Sequence, residues 1–348
     1  MSKIPIKKIH KSKEFQFFKK NFLFFKKKYT ILAGEIPEEL CIKNFFKKSI
    51  ILVENYNIYK MISCKIKKEL IFNNLFRPLQ LQKYKQLIFF WTKNKNEVKF
   101  QIMHLLPYIS YTCKISLIGK KDCGINSVPS IFHTYLKFKK KNYSRNCCLY
   151  QGRIIQKPIF LLNQFIKIHV WNKLIIESLP GVFGYKKIDE GSKLLISTFD
   201  HSIRGNVLDI GSGTGILSIA LLKKNSELNV TLVDIHGPSV WCSKKNLLSN
   251  NFSGEVFFSN IYSKVTKKYN LIISNPPIHI GIKINLKILI TIIKNSKKYL
   301  KKNGELRLVI NSFISCDFIF KKYDLNYKIL LKTHCYKILQ VKRNYRSY

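Results

Sequence analysis

Acidic residues are scarce in this chain: 19 Asp and Glu stand against 62 Lys and Arg in 348 residues, a formal net charge of +43. A charge of that size and sign attracts polyphosphate and steers encounter with it. The bias has a second source, because the chain is saturated with Lys, Ile, Asn, Phe and Tyr and poor in Ala, Arg and Gly, as AT-rich codons impose on any protein. The surface is basic on either account, and the adaptive share of the charge stays open. Paired cysteines are also lacking. There are nine, an odd number, with no Cys-x-x-Cys spacing, and the adjacent Cys147 and Cys148 are poorly placed to staple distant segments. This excludes a disulfide scaffold and predicts a reducing, cytoplasmic compartment in which cysteines act as small apolar fillers. No apolar run reaches the roughly eighteen residues of a membrane span. Phe15 to Phe25 is broken by Lys19, Lys20 and Asn21, and no cleavage site follows. No secretory leader is expected, and a membrane-surface helix is the minor alternative for that stretch. The histidines are isolated, so no metal is expected, and no Ser-His-Asp or paired-carboxylate arrangement is readable.

The length allows two domains with real cores. The second half alternates strand and helix patterns, which predicts α/β architecture with a mostly parallel sheet. Strands are expected at Val207–Ile210, Val230–Val233, Val256–Phe258, Tyr269–Ser274 and Glu305–Ile310, with helices over Ile216–Leu222, Ser239–Asn250 and Ile284–Leu300, the last capped by Asn303-Gly304. The first half holds a faint echo. Leu87–Trp91 followed by Thr92–Lys95 resembles Leu271–Ser274 followed by Asn275-Pro276-Pro277, and Cys113–Gly119 parallels Glu305–Ile310. Residues 1–150 contain neither a G-x-G-x-G turn nor Asn-Pro-Pro. They read as a degenerate duplicate that kept the sheet and lost the chemistry, or else as an unrelated α/β domain. Residues 151–185, with Gly152-Arg153 and Pro158, would form the junction, and 186–348 the intact domain.

Val207-Leu208-Asp209-Ile210 breaks into Gly211-Ser212-Gly213-Thr214-Gly215. Three glycines between strand and helix let the backbone turn tightly and approach a ligand, and the helix N-terminus offers N–H groups to an anion. A dinucleotide site would read G-x-G-x-x-G. The G-x-G-x-G spacing, with Asp209 before it, favours S-adenosylmethionine, whose carboxylate would meet the helix start. Asp234, with Ile235 after it, ends the next strand, where an acid accepts ribose hydroxyls; a plain turn aspartate is the alternative. Asn260 and the Ile261 N–H fall where an adenine edge belongs. Asn275-Pro276-Pro277 explains the acceptor. An amine on a base ring is a poor nucleophile, because its lone pair is delocalised. The Asn275 side-chain oxygen and the Pro276 carbonyl can hold its two N–H bonds so that nitrogen pyramidalises toward the methyl group. The prolines fix φ and bring no competing N–H. His279 would support the pocket or cap the following turn.

These residues resemble the two-domain ribosomal RNA guanine-N2 methyltransferases. The likeness runs through Phe89–Lys95, Cys148–Arg153, Leu179-Pro180-Gly181-Val182-Phe183, Asp189-x-Gly191-Ser192-x-Leu194-Leu195, Asp209–Gly215 and Ile273–His279 with Gly281. It implies two tandem Rossmann-like methyltransferase domains, the N-terminal one degenerate and RNA-binding, the C-terminal one catalytic with a seven-stranded sheet. It also implies a monomeric enzyme of the cytoplasm that methylates N2 of one guanine in 16S rRNA on the 30S subunit. Phe183 and Asp189 would sit near the donor or target pocket. Relatives often carry an aromatic after Asn-Pro-Pro to stack on the flipped base. Here it is Ile278, which would pack on the base face without π-stacking. Methylation of another base or of a protein glutamine, the sister 23S enzyme, and a retired assembly factor remain the alternatives. Removal of residues 1–150 is expected to leave donor binding largely intact and weaken RNA binding; unchanged RNA affinity in a filter-binding titration would refute that division of labour.

Overall fold

The computed structural model describes residues 12–25, 29–42, 48–64, 69–72, 79–144, 146–280 and 283–342. The chain divides into two compact units, Met1–Leu162 and Asn163–Tyr348.

In the first unit the apolar runs form a seven-stranded sheet: β1 (Thr30–Gly34), β2 (Ser49–Val53), β3 (Glu69–Phe72), β4 (Gln86–Phe90), β5 (Lys114–Lys120), β6 (Leu136–Ser144) and β7 (Cys147–Ile154). Their spatial order is β3-β2-β1-β4-β5-β7-β6, with the β5–β7 and β6–β7 pairs antiparallel and the others parallel. The central strands β1, β2, β4 and β5 are almost continuously buried because both faces are covered, whereas the edge strand β6 is largely polar and exposed. Leu87 and Phe89 enter one core with Ile31 and Leu117, while Ile88 and Phe90 enter the other with Leu32 and Ile118.

The second unit opens with a hairpin, β8 (Lys167–Trp171) and β9 (Leu174–Ser178). Its main strands are β10 (Asn206–Ile210), β11 (Asn229–Asp234), β12 (Glu255–Phe258) and β13 (Tyr269–Ser274). A two-residue ladder of β14 (His279–Ile280) and β15 (Lys283–Ile284) precedes β16 (Leu300–Asn311), β17 (Lys328–Lys332) and β18 (Tyr336–Lys342). The large sheet runs β12-β11-β10-β13-β16-β18-β17, the same order as in the first unit. The echo is therefore a duplicated topology, with β4 standing where β13 stands and β5 where β16 stands.

The copies differ at the ends of these strands. In the first unit β1 runs into Gly34 alone (φ +81°), and a Cβ there would lie 2.2 Å from the Phe90 carbonyl oxygen at the end of β4. The next helix, Glu38–Ile42, starts with two acidic residues, the wrong charge for holding an anion. After β4, Trp91 is buried and donates its Nε1–H to the Cys123 carbonyl at 3.0 Å. Among the described residues, the ends of β1 and β4 thus close on each other where the second unit carries its glycine turn and Asn275.

Two expectations are corrected. Asn303-Gly304 does not cap a helix. The helix Lys287–Tyr299 ends earlier and passes directly into β16, whose register on β13 shifts between Tyr269↔Leu300 and Leu271↔Glu305. Asn303, at φ +60°, lies in that irregularity, so its turn chemistry serves a bulge. The same helix starts at Lys287, not Ile284, because Lys283 and Ile284 pair with His279 and Ile280. Of residues 151–185, Gln151–Ile154 complete β7 and the hairpin joins the second unit.

Gly34→Ala forces a left-handed alanine against backbone. It is expected to destabilise the first unit by more than about 1–2 kcal/mol, seen as a lower urea midpoint; an unchanged midpoint would show that the β1–β4 closure contributes nothing.

Candidate active site

β10 pairs in parallel with both β11 and β13, so the chain winds outward in one direction from β10 and then in the other. A crevice opens where the order reverses, beyond the carboxyl ends of the strands. The register Val207↔Leu271, Leu208↔Ile272, Asp209↔Ile273 carries the glycine turn and Asn275 off adjacent strands at one level. Ser274 Oγ donates to the Ile210 carbonyl at 2.7 Å across a separation of 64 residues and fastens the two ends together.

Gly211, Gly213 and Gly215 all adopt positive φ, at +72°, +56° and +78°. A Cβ on Gly211 would meet nothing within 4 Å, so open space lies over the turn. The Gly211 and Ser212 N–H groups donate to the Val233 carbonyl at 2.8 and 3.1 Å, which ties the turn to β11. The helix Ile216–Lys224 follows directly. Asp234 has one carboxylate oxygen 3.0 Å from the Gly213 N and the other 2.9 Å from the His236 N. It thus accepts from two backbone groups while remaining half-exposed, with Ile235 half-exposed beside it.

Asp209 is fully buried beneath the turn. Its Oδ2 accepts from Ser218 Oγ at 2.8 Å, and its Oδ1 has no hydrogen-bond partner among the described residues. Burial pushes its carboxyl up to about 7, opposed by the Ser218 hydrogen bonds and reinforced by nearby Asp234.

Asn260 is exposed, and its N–H donates to Ser263 Oγ at 2.9 Å. Ile261 holds φ +53°, a strained setting for a β-branched residue. Ser259 Oγ stabilises that turn by donating to the Ile261 carbonyl at 2.9 Å.

A cleft beside the glycine turn gathers Gly211, Ser212 and Gly213 with Asn275, Phe183 and Asp189. Asn275 Nδ2 donates to Asp189 Oδ2 at 2.9 Å and to Ser192 Oγ at 3.0 Å. Its Oδ1 makes no hydrogen bond among the described residues. Pro276 is buried and Pro277 exposed. Phe183 is 60 % exposed at the cleft. Ile278 departs from expectation: it is 6 % exposed and packs in the core with Tyr262, Leu289 and Ile292, so in this conformation it offers no face to a base. His279 lies in β14, and its side chain falls outside the described residues, as does Gly281.

Sequence reasoning missed the polar scaffold behind the turn. Ser239, Ser243 and Asn246 form a buried stripe on the helix Gly237–Ser249. Ser243 Oγ donates to the Gly213 carbonyl at 3.1 Å and lies 2.9 Å from Ser212 Oγ. Asn246 Nδ2 donates to the Thr214 carbonyl (2.9 Å) and the Glu177 carbonyl (2.7 Å), while its Oδ1 accepts the Glu177 N–H at 2.7 Å. The spacing of 239, 243, 246 and 250 was the available signal: polar residues at helical period on the face that should be apolar.

Among the described residues there is no cluster of metal-ligating side chains and no helix long and apolar enough to cross a membrane. The described features suit S-adenosylmethionine: open space above Gly211, helical N–H groups after the turn, and a half-exposed acceptor at Asp234, whereas Asp209 is buried and meets no ligand directly.

Comparison with known proteins agrees with this assembly. Residues 173–340 match the methyltransferase small domain, and residues 16–169 match the methyltransferase small domain N-terminal family. The chain is 55 % identical to the ribosomal RNA small subunit methyltransferase C of Buchnera aphidicola subsp. Cinara cedri, over 98 % of this chain and 99 % of that one. It is 41 % identical to the protein of that name from Buchnera aphidicola subsp. Schizaphis graminum, over 94 % and 98 % of the two chains. The fold matches a T. thermophilus 16S rRNA N2 guanine methyltransferase solved with AdoMet and guanosine, at TM-score 0.79 and 17 % identity over 91 % of this chain and 89 % of that one.

Asp209 predicts a pH dependence. Unfolded, its carboxyl titrates near 3.8; folded, near 7. Between those values the folded chain keeps a proton that the unfolded chain has lost, so stability from this group is full below about pH 4 and falls as pH rises to about 7. Asp209→Asn should therefore gain on the wild type over that window, by at most about 1.4 kcal/mol per pH unit. Urea unfolding at several pH values reads the difference; parallel stability curves would show that Asp209 does not titrate there.

Proposed function

The chain belongs to the ribosomal RNA small subunit methyltransferase C family, and on that premise we propose that it methylates the exocyclic N2 of a guanine in 16S rRNA. The proposed target is guanine 1207, the position named for the T. thermophilus protein of the same fold, on the small ribosomal subunit. The observation that carries this reading is the carboxamide of Asn275. It stands at the end of β13 beside the glycine turn, with Nδ2 engaged by Asp189 and Ser192 and with Oδ1 left to accept.

S-Adenosylmethionine, held at the glycine turn, supplies an activated methyl group on a sulfonium. Gly211, Ser212, Gly213 and the N-terminus of the helix Ile216–Lys224 hold its amino-acid end, and Asp209 supports the turn from below. Asp234 accepts from the ribose, while Asn260 and Ile261 meet the adenine. Asn275 Oδ1 and the Pro276 carbonyl accept the two N–H bonds of the guanine amine. That restrains the lone pair from conjugating with the ring and directs it toward the methyl group. Held reactants of this kind gain on the order of 7–11 kcal/mol from orientation. A general base of perturbed pKa is not needed, because the amine becomes acidic as it acquires the methyl group. Phe183 takes over base stacking, since it is the exposed aromatic of the cleft and Ile278 is buried.

The guanine must leave its stack, at a cost of a few kcal/mol. Phosphate contacts with basic residues offset that cost. The edge strand β6 supplies such residues in the first unit, with Lys137, Lys139, Lys140 and Lys141 all exposed.

Incubation with tritiated S-adenosylmethionine should label small subunits, and digestion of their 16S rRNA should release N2-methylguanine at one position. Label confined to 23S rRNA in large subunits would move the assignment to the sister reaction. Asn275→Ala should reduce transfer by about 10²- to 10³-fold, the scale of losing one preorganised hydrogen-bonding group at the reacting centre, while donor affinity stays within a few-fold. Retained turnover would remove the amine-holding role.

A further inference from the structure

We propose that Asp189, with Ser192, is a positioning residue that fixes which end of the Asn275 carboxamide meets the substrate. The inference rests on the reading of Asn275 as the holder of the acceptor amine, and it assigns a task to the two residues that engage its Nδ2.

A carboxamide has an acceptor end and a donor end of nearly equal size, and rotation by half a turn about its last bond exchanges them. Only the orientation with Oδ1 toward the guanine amine is productive. The reverse would set an NH₂ group against an NH₂ group. Asn275 therefore needs an anchor that distinguishes its two ends.

Asp189 is such an anchor because an ionised carboxylate only accepts hydrogen bonds. Its Oδ2 lies 2.9 Å from Asn275 Nδ2, and Ser192 Oγ lies 3.0 Å from the same nitrogen. Both Nδ2 hydrogens are thereby engaged, and a flipped amide would aim its oxygen at a negative charge. Asp189 is itself held. It is the N-cap of the helix Glu190–Ser197, and the same Oδ2 accepts the Ser192 N–H at 2.9 Å. Ser192, three residues into the capping turn, is buried at 5 % exposure. Gly191 lets this turn approach: a Cβ there would lie 2.8 Å from Val309 Cγ1 and 3.0 Å from Asp189 Oδ2. One helix start thus fixes the orientation of an amide that lies 83 residues beyond Ser192 in the chain. The negative charge also polarises the carboxamide, strengthening Oδ1 as an acceptor while positive charge develops on the amine.

The test separates positioning from capping. Asp189→Ser keeps an N-cap of equal quality but is too short to hold the helix N–H and the Asn275 amide together. It should lower kcat on small subunits by about 30- to 100-fold, in the range of a lost charge-assisted hydrogen bond. Donor Kd and the thermal midpoint should stay as in the wild type. Asp189→Asn, whose amide oxygen accepts both N–H groups, should recover activity to within about fivefold, and Ser192→Ala should fall between. Adding Asp189→Ser to Asn275→Ala should cost nothing further. A neutron crystal structure of Asp189→Ser, which tells amide nitrogen from oxygen, should show the Asn275 amide reversed or in two orientations.

Wild-type kcat in Asp189→Ser beside an inactive Asn275→Ala would overturn this inference alone. Loss of donor binding and thermal stability in step with kcat would reduce Asp189 to a helix cap and overturn it too. An unmoved amide in the variant crystal would do the same without reference to activity. Full turnover by Asn275→Ala would instead remove the underlying reading, and this inference with it.

Discussion

The parallel pairing of β10 with β13 is the constraint on which the rest of this molecule depends. Two short segments that would be unremarkable apart become a site because Asp209 stands opposite Ile273, and a slip of one residue would turn every side chain of one strand to the other face. Hydrophobic alternation sets that register. Leu208, Ile210 and Ile272 face one core, and Val207, Leu271 and Ile273 the other. Catalytic geometry is thus inherited from core packing, and the Ser274–Ile210 hydrogen bond is its local fastening.

The two units show what a common topology does and does not confer. Both arrange seven strands in the same order, with the first strand of each flanked by its second and fourth. In one unit the strand ends part around a glycine turn and a carboxamide. In the other, Gly34 closes on Phe90 and the indole of Trp91 fills its own end of the sheet. Fold supplies a crevice only where the residues at the strand ends leave one open, so chemistry resides in a handful of positions and the scaffold is indifferent to their loss.

Much of this was legible in the sequence because the signals were local. Strand β13 was read to the residue, since Tyr269–Ser274 is a short apolar run stopped by Asn-Pro-Pro. The helix after the glycine turn also followed from pattern, as did the echo of β13 and β16 in β4 and β5. The illegible parts depended on distant partners. Asn303-Gly304 carries helix-ending chemistry, yet it serves a bulge because Leu300 already pairs with Tyr269. Ile278 follows a substrate-holding motif, yet the helix Lys287–Tyr299 draws it into the core. Ser243 and Asn246 were given no role beyond their helix, because their backbone partners belong to loops far away in sequence.

Asn246 and Asn250 have a consequence for motion. Between them they satisfy the N–H and carbonyl groups of Ile175 and Glu177, so side chains of a helix stand in for a neighbouring strand along β9. Ile176, held between those two residues, lines the cleft, and Asn246 also grips the glycine turn at Thr214. The cleft wall and the glycine turn are therefore tied to one helix through the same Asn246 side chain, and moving that side chain would leave the buried Thr214 carbonyl without its donor. A displacement of β9 at Glu177 is thus a displacement of the turn's own support, since one carboxamide serves both.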